Sequence, residues 1–416
     1  MTNTLLGVLI TMAGFLVIYH HVGYPLLLKW LAGEPAEPAA EETPQRAYRA
    51  ASADAVRPVV AIVIPAYNEA DHVADKIRNL AMLDYPSDRL RVILACDGCT
   101  DATAQRAAQA GREPECRELP LQIMEFAQNR GKVAMLNAVI PEIDCDLLAL
   151  SDVSALISVD ALLVAVARFA DPRVGVVSGS YRLFGSYQSH GRHTSGEALY
   201  WEYQSEIKKR EGALGATMGV HGAFYMIRRT LFEQLELDVI NDDFILPMRI
   251  VAQGYRACYE PRILALELED GSLDLDRRRR RRIAAGNMQQ LIRLTSLLRP
   301  SLRGVAFVFA SGKALRAVMP FLLLLILIGS ALLARSSWFF LVLFVVQVIV
   351  YTTAFVVQRV GPERVPWPLQ ALHYLVQGHL VGLIGSARYL LGLERGRWHR
   401  AKLGLSGGAA PETPKT

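Results

Sequence analysis

Val59-Val60-Ala61-Ile62-Val63-Ile64-Pro65-Ala66-Tyr67-Asn68-Glu69 is the stretch that decides how this chain is read. Its first six residues are apolar and mostly β-branched, with no polar residue between them. A run of that kind suits a strand buried on both faces, as in a parallel sheet. Pro65 is expected to stop the strand. Beyond it, Val73, Ile77 and Leu80 share one helical face, and Pro86 lies just past the helix end. Further strands are expected at Leu90–Ala95, Leu121–Phe126 and Leu147–Leu150, with helical patterns over about 102–110, 131–140 and 158–170 between them. Strands alternating with helices imply an α/β fold with a Rossmann-like, mostly parallel sheet. Such sheets bind ligands at the carboxyl ends of their strands.

Those ends carry Tyr67-Asn68-Glu69, then Asp97-Gly98-Cys99-Thr100-Asp101, then Asp152-Val153-Ser154. Each holds an acid, and the topology is expected to bring the acids together. Carboxylates facing a ligand suit a divalent cation with a nucleotide diphosphate, or the hydroxyls of ribose and sugar. Taken singly, the same residues read as helix caps and turns. Neither GxxxxGK[ST] nor GxGxxG occurs, so the usual phosphate cradles are absent.

Of the 416 residues, 52% are hydrophobic and 20% charged, against roughly 45–50% and 25% for ordinary soluble chains. The excess is concentrated. Leu5 to Trp30 is nearly uncharged with no Lys or Arg before Lys29, which reads as an uncleaved transmembrane anchor over 1–31 rather than a signal peptide. Ala317–Ala334 and Trp338–Val357, joined by Arg335-Ser336-Ser337, read as a transmembrane hairpin over 317–358. Leu369–Leu391, interrupted by His373, His379 and Arg388, spans, re-enters or lies in the interface, a membrane-associated segment over 367–392. Lys29, Arg277 to Arg282, Arg299, Arg303, Lys313 and Arg316 flank the central part, which places it in the cytoplasm with the N-terminus outside. Arg395, Arg397, Arg400 and Lys402 ask the same of the tail, 393–416, so three crossings are expected. Residues 32–57, rich in Ala, Pro and Glu, read as a flexible linker. The α/β unit covers 58–300, and 301–316 is an interfacial segment.

Five cysteines at 96, 99, 116, 145 and 258 fall in the cytoplasmic part, where thiols stay reduced. Cys96-x-x-Cys99 reads as a redox pair, as half a zinc site or as small-residue filler, and no second CxxC completes a zinc site. The formal charge of +5, from 45 basic and 40 acidic residues, does not indicate nucleic acid. Its arginine run precedes a membrane span and lacks interleaved aromatics. The spans hold too few polar residues for a transport path.

The segment Val63-Ile64-Pro65-Ala66-Tyr67-Asn68-Glu69 with Asp97-Gly98-Cys99-Thr100-Asp101 resembles the start of family 2 glycosyltransferases (GT-A fold). The likeness continues through Asn129-Arg130-Gly131-Lys132, Asn137, Asp152, Gly222-Ala223-Phe224-Tyr225-Met226-Ile227-Arg228-Arg229, Asn241-Asp242-Asp243-Phe244, Gly254-Tyr255-Arg256 to Glu260-Pro261, and Ala284-Ala285-Gly286-Asn287. The flanking spans fit the membrane-integrated, cellulose- and hyaluronan-synthase-like branch. The resemblance implies a nucleotide-sugar donor, UDP-linked, held by Pro65, Tyr67, Glu69, Asp97, Lys132 and Arg282. It implies a divalent metal, Mg²⁺ or Mn²⁺, on Asp152. The family's second acid is replaced here by Ser154, a poorer ligand for a hard cation. Asp243, with Asp242 beside it, takes the place of the general base, which accepts the acceptor's proton during one inverting displacement. Asp243 also reads as a helix N-cap before Phe244–Gln253. His221, Gly222 and Ala223 match the loop that meets the acceptor. Arg279-x-x-Arg282-Ile283 stands where processive synthases carry Gln-x-x-Arg-Trp. Arg282 reads either as a diphosphate contact or as one of several arginines facing anionic lipid. A helix over Glu197–Glu211 carries Tyr200, Trp201 and Tyr203, for sugar stacking or for packing, and His190 and His193 read as loop residues.

The implied function is an inverting transferase of a bacterial-type inner membrane. It acts at the cytoplasmic face on a lipid-linked or polysaccharide acceptor in cell-surface glycan synthesis, among membrane lipids and export-assembly partners. A processive exopolysaccharide synthase is the alternative. An inactive donor-binding subunit of an export assembly is the alternative of another class.

Overall fold

The computed structural model describes residues 2–33, 57–183, 205–268 and 273–394. Most of the linker, the aromatics at Tyr200, Trp201 and Tyr203, the pair His190 and His193, and the tail beyond 394 lie outside the described residues.

Among the described residues eight strands form one sheet in the order β3-β2-β1-β4-β7-β6-β8-β5. They are β1 Val60–Ala66, β2 Leu90–Asp97, β3 Leu121–Phe126, β4 Leu147–Leu150, β5 Ala155–Ile157, β6 Val174–Leu183, β7 Tyr225–Arg228 and β8 Arg256–Glu267. The half that the sequence predicts, β3-β2-β1-β4, is parallel throughout. Antiparallel β7 joins β4 to β6, and β8 then runs parallel to β6. Helices α3 Val73–Ala81, α4 Thr103–Ala110, α5 Lys132–Val139 and α6 Ala161–Arg168 fall where the apolar period puts them.

The β1 strand shows why its sequence is apolar throughout. Val60, Ile62 and Ile64 enter one core cluster with Val73, Ile77 and Leu80 of α3. Ala61 and Val63 point into the other, with Val133 and Leu136 of α5. Alternate side chains leave opposite faces of a strand, so a strand covered on both sides has no polar position. Pro65 does not stop β1. It stays in register with Ala95, beyond Val63, where the pairing with β4 has ended. A missing N–H is tolerated at that open end of the sheet.

The second core cluster also takes in Tyr24, Leu28, Val305, Val308 and Phe309. The membrane-proximal helices therefore share apolar packing with the α/β unit. At the N-terminus, α1 Thr2–Ile18 continues through a π-turn, Tyr19–Gly23, into α2 Tyr24–Ala32. Among the described residues three helices are long and apolar enough to cross a membrane: Asn3–Ala32, Gly304–Leu333 and Trp338–Val360. The middle one runs across the boundary expected at 317: Gly304–Val308, a π-turn at Phe309–Ala314 and α10 Leu315–Leu333 form one continuous rod. Lys313 and Arg316 hid this continuity in the sequence. Large side chains such as Phe15, Ile328, Leu332 and Ile349 are exposed on these helices, an apolar surface of the kind that marks an interaction face. A Cβ at Gly329 would come 2.6 Å from Ile10, so glycine lets α1 close on α10.

The fourth stretch is a single helix, α12 Trp367–Leu390, which follows α11 Trp338–Val360. It lies along α9 Leu273–Arg293, the arginine-bearing helix. Gly385 permits that crossing, since a Cβ there would meet Ala284 at 2.6 Å. Two further helices frame the site, α7 over 205–213 and α8 Asp242–Ala252.

Candidate active site

The sheet's open end places three carboxylates around one ammonium. Lys132 opens α5, and its Nζ lies 3.1 Å from Asp152 Oδ1 and 3.3 Å from Asp242 Oδ2. Burial works to lower the Lys132 pKa, but Asp152, Asp242 and Asp243 outweigh it and raise the pKa. Asp243 is pushed up to about 6, by burial first and by Asp242 and Asp152, against the pull of Lys132 and Arg282. A carboxylate titrating there is ionised at neutral pH yet basic enough to take a proton. Gly222 sits between two of these acids. A Cβ on it would lie 3.1 Å from Asp152 Oδ2 and 3.4 Å from Asp243 Oδ2. A side chain at residue 222 would therefore press on the Asp152 carboxylate and touch that of Asp243.

Asp243 is not the cap of its helix. α8 begins at Asp242, and Asn241 holds the cap position without a side-chain capping bond. The amide of Asn241 packs instead against Gly286 of α9, where any Cβ would collide with it. Gln289, also on α9, accepts from Ile240 N at 2.9 Å and donates to Asp238 O at 2.9 Å. α9 thus fixes the turn that delivers Asp242 and Asp243.

The expected convergence of strand-end acids holds for Asp152 but not for Asp97. Asp97 is fully buried, and its carboxylate accepts from Arg130 N at 3.0 Å and Gly131 N at 2.7 Å. Its work is to hold the loop that carries Lys132. Gly98, at φ +66°, lies under the same loop, and a Cβ there would collide with the backbone of Gln128 and Asn129. Gly98→Ala is expected to cost about 2 kcal/mol, from left-handed strain plus displacement of that loop. Chemical denaturation checks it, and an unchanged midpoint would contradict the packing described.

Other predicted residues divide between site and scaffold. Pro65 is buried inside β1. Tyr67 is half-buried at the strand's end. Glu69 donates its N–H to Thr103 Oγ1 at 2.8 Å, and its carbonyl accepts from His72 and Val73 at the start of α3. Ala223 is 3% exposed, its methyl in the core and its carbonyl accepting from Ser151 Oγ at 2.6 Å, so only its backbone borders the site. Ser154 is half-buried, and its carbonyl accepts from Leu268 N at 2.9 Å. His221 stacks on Tyr181 at 4.9 Å and lies 3.0 Å from Lys208 Nζ. Burial and the nearby cations hold the His221 pKa well below its ordinary value. The imidazole is therefore neutral, and its Nε2 accepts from the lysine.

Arg282 is exposed, and its charge acts on Asp243. Arg279, one turn earlier on the same face, hydrogen-bonds Tyr181, and its charge reaches Asp152. Arg279, Tyr181, Lys208 and Gln289 escaped the sequence reading as site residues. The i, i+3 spacing of Arg279 and Arg282 was the one local signal for any of them. Among the described residues all five cysteines are free.

A family model described as "Glycosyltransferase like family 2" matches residues 57–286, more than half the chain. The chain belongs to glycosyltransferase family 2. Poly-beta-1,6-N-acetyl-D-glucosamine synthases of Staphylococcus aureus (strain MSSA476) and Staphylococcus epidermidis are 25% and 24% identical to this glycosyltransferase over 238 residues. The match covers 56% of this chain and 56% of theirs, so it spans only about half the length of these curated relatives. A solved structure, "Mannosyltransferase PcManGT from Pyrobaculum calidifontis in complex with GDP-Man and Mn2+", superposes with a TM-score of 0.65 at 22% identity, over 92% of this chain and 99% of that one. The glycosyltransferase thus shares its overall fold, helices included.

Proposed function

We propose that this glycosyltransferase moves a sugar from a nucleotide-sugar donor, UDP-linked, to a lipid-linked or polysaccharide acceptor at a membrane surface, with inversion. The observation that carries the reading is the placement of Asp243 beside Asp242 and Asp152, with Gly222 facing two of these acids and Lys132 within reach of Asp152 and Asp242; burial and the neighbouring acids push the Asp243 carboxyl up. The acceptor hydroxyl attacks the anomeric carbon as Asp243 takes its proton. The bond from that carbon to the diphosphate oxygen breaks, and the nucleoside diphosphate leaves. Lys132, Arg279 and Arg282 supply positive charge where the leaving group gains negative charge.

Asp152 would hold a divalent cation. Its side chain is 38% exposed, and Ser154 adds only a neutral hydroxyl. Among the described residues no group of three or more His, Cys, Asp or Glu is placed to bind a metal. This set fits a cation carried in with the diphosphate rather than a cage built by protein, as Mg²⁺ sites with one or two carboxylates commonly are. Such a cation, when bound, neutralises the leaving diphosphate. Ser154→Asp is expected to lower the metal concentration giving half-maximal donor binding by about tenfold, read by titrating Mn²⁺ or Mg²⁺. An unchanged titration would show that position 154 does not ligate.

The basic flanks support a multi-pass protein of a bacterial-type inner membrane, with its catalytic domain and its C-terminal tail in the cytoplasm. Membrane lipids and export partners belong to the same reading. The named relatives support a processive synthase as a second reading, while Ile283, in place of the synthase tryptophan, removes an aromatic platform. Release of nucleoside diphosphate from a donor panel, measured in membranes from pH 5 to 8, tests the proposal. Release is expected to fall roughly tenfold per pH unit below about 6 as Asp243 protonates. No release above background with any donor would sink the enzyme reading. One discrete product indicates single addition, and a ladder indicates processivity.

A further inference from the structure

A lysine stands in the apolar face of α3, and the transfer chemistry above does not use it. Val73, Lys76, Ile77 and Leu80 fall on one side of that helix, and all four are buried, Lys76 completely. Among the described residues no carboxylate oxygen comes within 4.0 Å of its nitrogen. Lys76 Nζ donates instead to Ser151 Oγ at 2.7 Å and to the carbonyl of Ala155. Burial pulls its pKa down to about 7, and Asp152 and Glu267 pull it back only in part. Both bonds use N–H groups that the neutral amine keeps, so the contact holds in either charge state. Burying an amine costs free energy that its hydrogen bonds only offset. An apolar chain of similar length would suit the core better, so stability does not explain the lysine.

Its two partners bracket the loop Asp152-Val153-Ser154. Ser151 follows the last residue of β4, and Ala155 is the first residue of β5. The loop's own backbone bond, from Ala155 N to Asp152 O, is long at 3.4 Å, so the side chain from α3 adds hold that the backbone lacks. The Ser151 hydroxyl also donates to the carbonyl of Ala223 at 2.6 Å. Ala223 follows Gly222, the glycine that faces Asp152 and Asp243. One amine therefore joins α3, the loop with Asp152 and the loop beside Asp243. One turn further along α3, Asn79 grips the next part of the chain. Its Nδ2 donates to Ile157 O at 2.9 Å, and its Oδ1 accepts from Ile157 N at 2.9 Å. Asn79 thus fixes β5, while Lys76 fixes the loop before it.

We propose that Lys76 is a positioning residue for the donor site: from inside the core it sets the loop that presents Asp152 and Ser154 to the cation and the diphosphate. It touches neither of them. It acts through Ser151 and Ala155, as an outer partner of a ligating carboxylate does. The need is greatest where one acid stands alone. A second carboxylate would tie a cation at two points, and Ser154 offers only a neutral hydroxyl. The aim of Asp152 must then come from how its loop is anchored. Small errors matter, because a displacement of about 1 Å costs a reacting site about 10²-fold. The link through Ser151 to Ala223 ties the same loop to the side where the acceptor enters, so donor and acceptor groups keep one geometry. The inference rests on the transferase reading, and it adds the group that orients the cation's carboxylate.

The test uses the full chain in nanodiscs and reads binding rather than turnover. UDP and GDP are titrated by calorimetry across a range of Mn²⁺ concentrations and in chelator. Lys76→Met is expected to raise the Mn²⁺ concentration for half-maximal nucleotide binding about tenfold, the usual loss for an outer partner of a metal ligand. Binding in chelator should not change. Asn79→Ala is the control: it removes two hydrogen bonds from the same helix and should leave the Mn²⁺ midpoint where it was. Ser151→Ala keeps the lysine and should raise the midpoint about threefold, the worth of one hydrogen bond. It carries the test if Lys76→Met does not fold. An unmoved midpoint in the variant that carries the test overturns the proposal. An equal rise in Asn79→Ala does so too, because Lys76 would then be general packing. Equal losses with and without metal also overturn it, as does a wild type whose nucleotide binding ignores Mn²⁺. Donor cleavage that depends on Asp243 would survive each of these results, so failure here is distinct from failure of the transferase reading.

Discussion

Asp243→Asn is expected to lower the transfer rate by about 10²–10⁴-fold, the usual worth of a general base, and to leave the fold intact. The two halves of that expectation have one cause. Burial and the neighbouring acids raise the Asp243 carboxyl to about 6, above its unfolded value. The folded protein therefore binds that proton more tightly than the unfolded chain. Ionising Asp243 costs stability, fully above about pH 6, and the cost vanishes as pH falls toward the ordinary aspartate range near 4. Asparagine never ionises. The variant should melt at or above the wild-type temperature at pH 8, and the difference should shrink toward pH 5. Paired activity and melting curves at the two pH values check this. Retained activity would remove Asp243 from the base role, and a large drop in melting temperature at pH 8 would contradict its raised pKa.

Lys132→Met is the second large effect, and it should differ in kind. The ammonium lies 3.1 Å from Asp152 and 3.3 Å from Asp242, and only 19% of the side chain is exposed. Without it three carboxylates share a pocket with no close counter-charge. Removing one partner of a buried pair costs about 3–5 kcal/mol. Asp152 is partly solvated, so a loss of about 2–3 kcal/mol is expected here. Transfer should fall about 10²–10³-fold, as for other lost electrostatic stabilisers. The diagnostic result is the acidic limb of the pH profile. Lys132 pulls the Asp243 pKa down, so its loss should move that limb above pH 6, while Lys132→Arg should largely restore it. A slower enzyme with an unmoved limb would mean that Lys132 acts on the donor alone.

Much of this was readable from local pattern. Val60 to Ile64 is apolar throughout because both faces of β1 are covered, and that pattern survives in sequence as a run without alternation. The two C-terminal apolar helices are legible because each is a long run without a charged residue, 317–334 and 338–357. The departures from local expectation share a physical reason as well. Pro65 reads as a stop, yet it pairs because a neighbouring strand ends two residues earlier. Asp97 reads as a ligand-facing acid, yet a loop more than 30 positions away, at Arg130 and Gly131, takes its carboxylate. Lys313 and Arg316 read as the border of a span, and the helix from Gly304 to Leu333 runs through them.

Alone, the sequence determined the alternation of strands and helices, the helices apolar enough to cross a membrane, and the acids worth testing at Asp152, Asp242 and Asp243. Hydrophobic period and turn chemistry act over a few residues, so they leave their mark locally. Only the tertiary structure decided which acid is raised, which lysine neutralises it, and that Glu211 is held by Tyr24 and by Met218 N. Those properties are set by distances between atoms tens to hundreds of positions apart in the chain. Lys132 meets Asp242, and Tyr24 meets Glu211, only after the sheet has closed and the helices have packed beneath it. Charge and burial are properties of that assembled space, and no window of sequence contains them.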